Sequence, residues 1–280
     1  MPPRLEGLLR QRRAGMAVAA GARYARLLAR LRAGERIVLD GATGTEVERR
    51  GVPQLPNAWN GGAALSHPEI LQGVHEDYYR SGAEFVISNT FACNAWCLRD
   101  AGEGEKMEEY NRRAVEIACA ARERAGGADS CVAGGISYWS FIDDYPSLDD
   151  IRDGVAGQAK VMAAAGADFI VLEMMIDHDR MLATLAGAQE AGLPVWVGIS
   201  CGFDDEPVSA EAVDKQAVAT ELSPDRPMTM MNGRDLLSSA ITALADKDVD
   251  VLNIMHTNVE VTVHPLALRV ALALTWLCCS

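Results

Sequence analysis

The chain has no C-x-x-C pair: its seven cysteines, Cys93, Cys97, Cys119, Cys131, Cys201, Cys278 and Cys279, are scattered and odd in number. That excludes a disulfide framework and, without an export signal, reads as a cytoplasmic protein with free or metal-binding thiols. A membrane-spanning run is missing too. The longest apolar stretch, Val270 to Cys279, is interrupted by Thr275 and preceded by Arg269, and it is about half of the roughly 20 residues a span takes. Only 11 prolines, with 49% apolar and 23% charged residues, exclude a fibrous or disordered chain. No G-x-G-x-x-G follows a strand at the right spacing, so a dinucleotide-binding sheet has no support.

Positive charge is scarce except at the start. Residues 1 to 36 carry nine arginines (Arg4, Arg10, Arg12, Arg13, Arg23, Arg26, Arg30, Arg32, Arg36) against Glu6 and Glu35, a surplus of seven. The remainder holds 17 basic and 37 acidic residues, and that negative excess repels phosphate backbones and excludes nucleic-acid binding by the main body. The basic arm is therefore the only candidate contact for an anionic partner. Ala14 to Ala20 is too alanine-rich for a secretory signal, and the arm lacks the serines of a mitochondrial transit peptide. The plainest reading starts the chain at Met16, with an upstream extension before it and Tyr24 to Leu31 as a lead-in helix.

The strongest internal signal is a repeated phrase. Ser81-Gly82-Ala83-Glu84-Phe85-Val86-Ile87 and Ala165-Gly166-Ala167-Asp168-Phe169-Ile170-Val171 are near copies: a glycine ends a helix, and an acidic residue precedes an unalternating apolar run. Such a run fits a strand buried on both faces. Weaker echoes occur at Gly127-Ala128-Asp129, at Gly192 and at Asp248-Val249-Asp250. Strands are expected near 37–40, 85–89, 131–136, 169–173, 195–200 and 251–255. Helices are expected at Pro68 to Arg80, Met107 to Arg124, Leu148 to Ala165, Arg180 to Ala191 and Arg234 to Ala245, with Ser66, Ser147 and Asp177 as N-caps. Alternating β and α units make a parallel sheet with right-handed crossovers, open or closed into a barrel. Polar residues gather just after the strands, at Asp40-Gly41, Asn89-Thr90, Glu173, Ser200-Cys201 and His256-Thr257. In a β/α barrel these face one mouth, where active sites sit.

Ile37-Val38-Leu39-Asp40-Gly41-Ala42-Thr43-Gly44-Thr45-Glu46, Arg49-Arg50-Gly51, Trp59, His67-Pro68-Glu69-Ile70, Val74-His75-Glu76-Asp77-Tyr78 and Ser88-Asn89-Thr90-Phe91 together resemble the homocysteine S-methyltransferase family. Ala133-Gly134-Gly135-Ile136 and Leu172-Glu173 continue the likeness. The resemblance implies an α/β fold, a (β/α)8 TIM-type barrel, here incomplete at the carboxyl end. Residues 1–33 would be a basic extension with its lead-in helix and 34–280 one barrel domain whose last two units are not recognisable. The implied reaction moves a methyl group from an unidentified donor to the thiol of homocysteine, giving methionine. By resemblance Asp40 and Glu173 would hold the substrate ammonium, Gly41 and its neighbours would offer N–H groups to the carboxylate, and Asn89 would be a further mouth residue.

The family activates the thiol on zinc held by three cysteines, one after the sixth strand and an adjacent pair after the eighth. Here Asn253-Ile254-Met255-His256-Thr257 ends the sixth strand, so His256 stands close to the first ligand position; alignment on Asn253 would put Ile254 there instead. Cys278 and Cys279 are the candidates for the pair. The competing expectation is that Leu266 to Leu277 is merely an apolar stretch of a truncated end, leaving six strands with open edges prone to self-association. Gly202 to Asn232 reads as a mouth lid, with Met228, Met230 and Met231 over the methyl donor, or as a surface excursion with a short helix at Ala210 to Ala219. Two other readings stand beside methyl transfer: a non-catalytic remnant that pairs with another chain, and a metal-dependent barrel enzyme acting on another small amino acid or thiol.

Overall fold

The computed structural model describes residues 21–203, 228–257 and 275–278. Its centre is a curled parallel sheet in the order β1 (Phe85–Ile87), β2 (Cys131–Ile136), β3 (Phe169–Met175), β4 (Val195–Ile199), β7 (Val251–Ile254) and β8 (Thr275–Cys278). Helices α4 (Pro68–Arg80), α6 (Met107–Ala125), α7 (Leu148–Ala165), α8 (His178–Gln189) and α9 (Leu237–Leu244) alternate with the strands. This is a partial TIM-type barrel of the α/β class. Shorter helices α2 (Thr43–Arg49) and α3 (Ala63–Ser66) precede β1, and α5 (Ala95–Asp100) follows it.

The local chemistry explains most boundaries. Ser147 and Asp177 accept the backbone N–H of Asp150 and Arg180, at 3.2 and 2.9 Å, and so start α7 and α8. Gly82 and Gly166 take φ of +106° and +109°, which lets a helix end and a strand begin within three residues. Ser66 does not cap α4. It closes α3, its hydroxyl donating to Gly62 O at 3.0 Å, while His67 and Pro68 begin the next helix. The expected strand at 37–40 is reduced to one parallel bridge, Leu39 to Phe85, and Val38 beside it is 53% exposed.

Alternation along the strands separates two layers. One face carries Phe85, Cys131, Ala133, Phe169, Val171, Trp196 and Val251 into the barrel, where they pack with Tyr24, Leu27, Leu28 and Leu31 of α1 (residues 21–32). Helix α1 therefore closes the floor. Tyr24 donates to Asp250 Oδ2 at 2.7 Å and accepts from Trp196 Nε1 at 2.9 Å, and Phe169 lies 4.6 Å from the Trp196 ring. The acidic residue of each repeated phrase now has a purpose. Arg23 pairs with Asp168, Arg26 with Asp129, Arg30 with Glu84 and Arg32 with Asp250, so one helix reads four strand entrances. The described part of the basic arm thus places these charges within the chain; Met16 lies outside the described residues.

Part of the segment between β4 and α9 lies among the described residues. Strand β5 (Cys201–Phe203) pairs antiparallel with β6 (Met228–Met230), so Met230 is a buried core residue rather than part of a lid. The proposed helix at 210–219 falls outside the described residues. At the other end, Thr275 to Leu277 do not form a featureless stretch: they belong to β8, parallel to β7, with Cys278 in register with Ile254. Among the described residues no helix is long and apolar enough to cross a membrane.

Candidate functional site

The strand ends that face away from α1 form the mouth. Continuing the inward alternation from Val171, Trp196 and Val251 brings Glu173, Gly198 and Asn253 into the upper lumen, with Gly135 beside them. Gly135 is needed there: a Cβ at this position would overlap Glu173 Oε1 and Ile87 Cγ2. The missing side chain is the space in which the Glu173 carboxyl lies.

Asp40 is buried at the rim of the same lumen. Its Oδ2 accepts the Ile87 N–H at 2.9 Å and the Thr43 hydroxyl at 3.4 Å. Loss of water pushes its pKa well above the ordinary carboxylate range, the Ile87 N–H opposes this, and the charge of Glu173 adds to it. Glu173 has no hydrogen-bond partner among the described residues, and desolvation raises it to about 8. The two carboxyls are thus electrostatically coupled, and neither pairs with a Lys or Arg among the described residues. The N–H groups of Gly41 and Ala42 likewise make no hydrogen bond there, and both residues are exposed at the entry to α2. Ser200 Oγ and Asn253 Oδ1 are buried without a partner, so the upper lumen is polar and only partly satisfied by protein.

Asn89 follows β1, and its amide donates to Asn60 O at 2.8 Å, tying the loop after α2 to the mouth. Aromatic rings complete the rim: Trp59 lies edge-on to Phe91 at 6.5 Å, and Phe91 lies 6.3 Å from the His256 ring. His256 is exposed, with φ of +47°.

The metal-ligating candidates are not gathered in the same way. Among the described residues there is no group of three His, Cys, Asp or Glu side chains able to hold an ion. His256 is at the mouth, the backbone of Cys278 ends β8 level with Ile254, and Cys279 lies outside the described residues. A tetrahedral catalytic zinc takes three protein ligands and a substrate position. Of the three candidates, His256 is the one whose side chain the described residues place at this mouth, beside Phe91.

Sequence reasoning missed the residues that shape the site. Gly135 and Gly198 could have been found by carrying the inward parity two residues beyond Ala133 and Trp196. Met255 has no role in the sequence reading, and nothing in its immediate sequence gives it one.

Comparison with known proteins fits this geometry. The sequence pattern of the family described as homocysteine S-methyltransferase matches residues 37–265. Betaine–homocysteine S-methyltransferase 1 of Xenopus laevis is 28% identical over 177 residues, covering 63% of this chain and 44% of that protein. Selenocysteine Se-methyltransferase of Brassica oleracea var. italica is 25% identical over 209 residues, covering 65% of this chain and 60% of its own. The chain thus spans about half the length of these relatives. Among solved structures, the metallated form of the homocysteine methyltransferase MmuM from Escherichia coli superposes with a TM-score of 0.67 at 21% identity, over 86% of this chain and 82% of that one. That likeness establishes the barrel fold.

Proposed function

The chain belongs to the homocysteine S-methyltransferase family, and from that premise we propose that it binds homocysteine through the amino acid head and accepts a methyl group on the thiol, giving methionine. The observation that carries this reading is the Asp40–Glu173 pair: two carboxyls, one just after the Leu39 bridge and one on β3, withdrawn from water, with no cation from the described protein. An α-ammonium entering between them supplies the missing charge, and each opposite charge offsets the other's desolvation. Because burial favours the protonated acids, loading the site requires the pair to give up a proton as the ammonium arrives. The unbonded N–H groups at Gly41 and Ala42 suit the substrate carboxylate, and Asn89 keeps that wall in place through Asn60. Phe91 and Trp59 give the rim an apolar side for the methyl donor, whose identity the names of the relatives leave divided between betaine and S-methylmethionine.

The metal half of the reaction is separate. When bound, zinc would hold the homocysteine thiol as thiolate, and the candidates in this chain are His256, Cys278 and Cys279. The described thiols Cys93, Cys97, Cys119, Cys131 and Cys201 are free and buried, which supports a cytoplasmic location. Calorimetry with homocysteine tests the reading: Asp40→Asn and Glu173→Gln should each weaken binding by about 1.5–3 kcal/mol, the worth of a hydrogen bond to a charged group. Unchanged affinity in both variants would refute it.

The open edge favours one further proposal. The exposed Val38 borders a strand held by a single bridge, and such an edge is a place for another chain to pair. Self-association there is compatible with methyl transfer.

A further inference from the structure

We infer that Met255 is a positioning residue for the Glu173 carboxyl, acting across β4 through the space that Gly198 leaves. This rests on the reading of Glu173 as an ammonium acceptor.

Strand β3 departs from regular pairing where Glu173 lies. Its register against β4 shifts between Leu172 and Met175, and Met174 takes φ of +59°, a left-handed conformation that a side chain disfavours. Inside that bulge the Met174 N–H donates to the Met255 sulfur, with N···Sδ of 3.2 Å. Met255 begins two strands away, just beyond β7, where its own N–H is fixed by Ile199 O at 3.1 Å. To reach Met174 its side chain crosses β4 at Gly198. Any Cβ there would overlap Met255 Sδ and lie 2.8 Å from Leu172 O. Gly198 is thus a passage, and Met255 is buried within it.

The bulge is what directs Glu173. Its carboxyl rests over Gly135 without a hydrogen bond among the described residues, so its place is set by the backbone that carries it. That backbone is strained at the next residue and is tied there by a weak, half-buried N–H···S contact. Removing the sulfur takes away this tie to the Met174 N–H, and the bulge can then relax toward regular pairing, which turns Glu173 away from Asp40.

The test uses the whole chain and L-homoserine, which has the homocysteine head but no thiol. Met255→Leu keeps the bulk and loses the acceptor, whereas Met255→Gln keeps an acceptor at nearly the same reach. The inference predicts homoserine binding weakened roughly three- to tenfold in Met255→Leu, as loss of one hydrogen bond allows, and largely restored in Met255→Gln. Thermal melting should rank the two variants the other way, because leucine is the better buried residue. A merely packing role would put binding and melting in the same order, and that result would overturn the inference. Equal affinity of wild type and Met255→Leu would overturn it too. Absence of binding to wild type, with the chain folded, would instead overturn the ammonium reading and take this inference with it.

Discussion

At the floor of the barrel Asp168 accepts hydrogen bonds from Arg23 at 2.7 and 3.1 Å, from Arg122 at 3.0 Å and from the Val132 N–H at 2.7 Å. At the mouth Asp40 has one backbone N–H and a long contact to a hydroxyl, and Glu173 has nothing comparable among the described residues. Burial raises the pKa of all three acids, but only at the floor do guanidinium groups oppose it. The floor carboxylate is a finished ion cluster that joins α1 to two layers of the barrel. Among the described residues the mouth carboxylates lack the component that the floor supplies, a cation, and the proposed ammonium site rests on that contrast.

The largest expected effect is at the floor. Asp168→Asn leaves Arg23 and Arg122 facing a neutral amide in a buried site and should cost about 3–5 kcal/mol in urea denaturation. A loss below about 1 kcal/mol would show that the cluster is not integral to the fold. Glu173→Gln should do the reverse above neutral pH, because it removes a charge that the empty site does not compensate.

The same contrast has a pH signature. Glu173 has a folded-state pKa of about 8, above its unfolded value, so between those pH values the native chain holds more protons than the unfolded one. Stability should therefore fall as pH rises from about 4.5 to 8, and Glu173→Gln should flatten that fall. Melting curves across this range check the sign; a rise in stability with pH that Glu173→Gln leaves untouched would break the comparison.

Two smaller effects concern the incomplete side of the mouth. Metal analysis of the purified chain should give well under about one zinc per chain, because among the described residues no three ligating side chains are gathered. About one zinc, lost in both His256→Ala and Cys278→Ser, would show that Cys278 and Cys279 complete the set with His256. At the open edge, light scattering should detect self-association that Val38→Lys reduces, since a charge on an edge strand discourages pairing. A monodisperse monomer before the substitution would count against pairing there.

The residues that make the barrel were legible because burial leaves its mark locally. The unalternating runs at 131–136 and 169–173, the glycine before each strand, and the caps Ser147 and Asp177 all follow from neighbours in sequence. Asp40, Asn89 and Glu173 were placed by family resemblance and by their position after strands. What stayed hidden depends on contacts across many residues. The acids Glu84, Asp129, Asp168 and Asp250 were visible as a repeat, but their meaning required the arginines of α1, up to 218 residues away in Arg32–Asp250. The pairing of Met255 with Gly198 was hidden for the same reason: strand parity points to Gly198 as inward, but that the Met255 side chain fills the gap there depends on a contact 57 residues away. Ser66 misled because a serine before His67-Pro68 looks like a cap, whereas a short preceding helix had already claimed its hydroxyl.

The central claim is that the mouth acids await an ammonium, and proton-linked calorimetry tests it most directly. L-Homocysteine and L-homoserine would be titrated into the chain near pH 7 in two buffers of different ionisation enthalpy, with Glu173→Gln in parallel. The account predicts a proton released from the protein on homoserine binding, affinity that strengthens as pH rises toward about 8, and loss of both effects in Glu173→Gln. Binding of the same strength in wild type and Glu173→Gln, with no buffer-dependent heat, would contradict it.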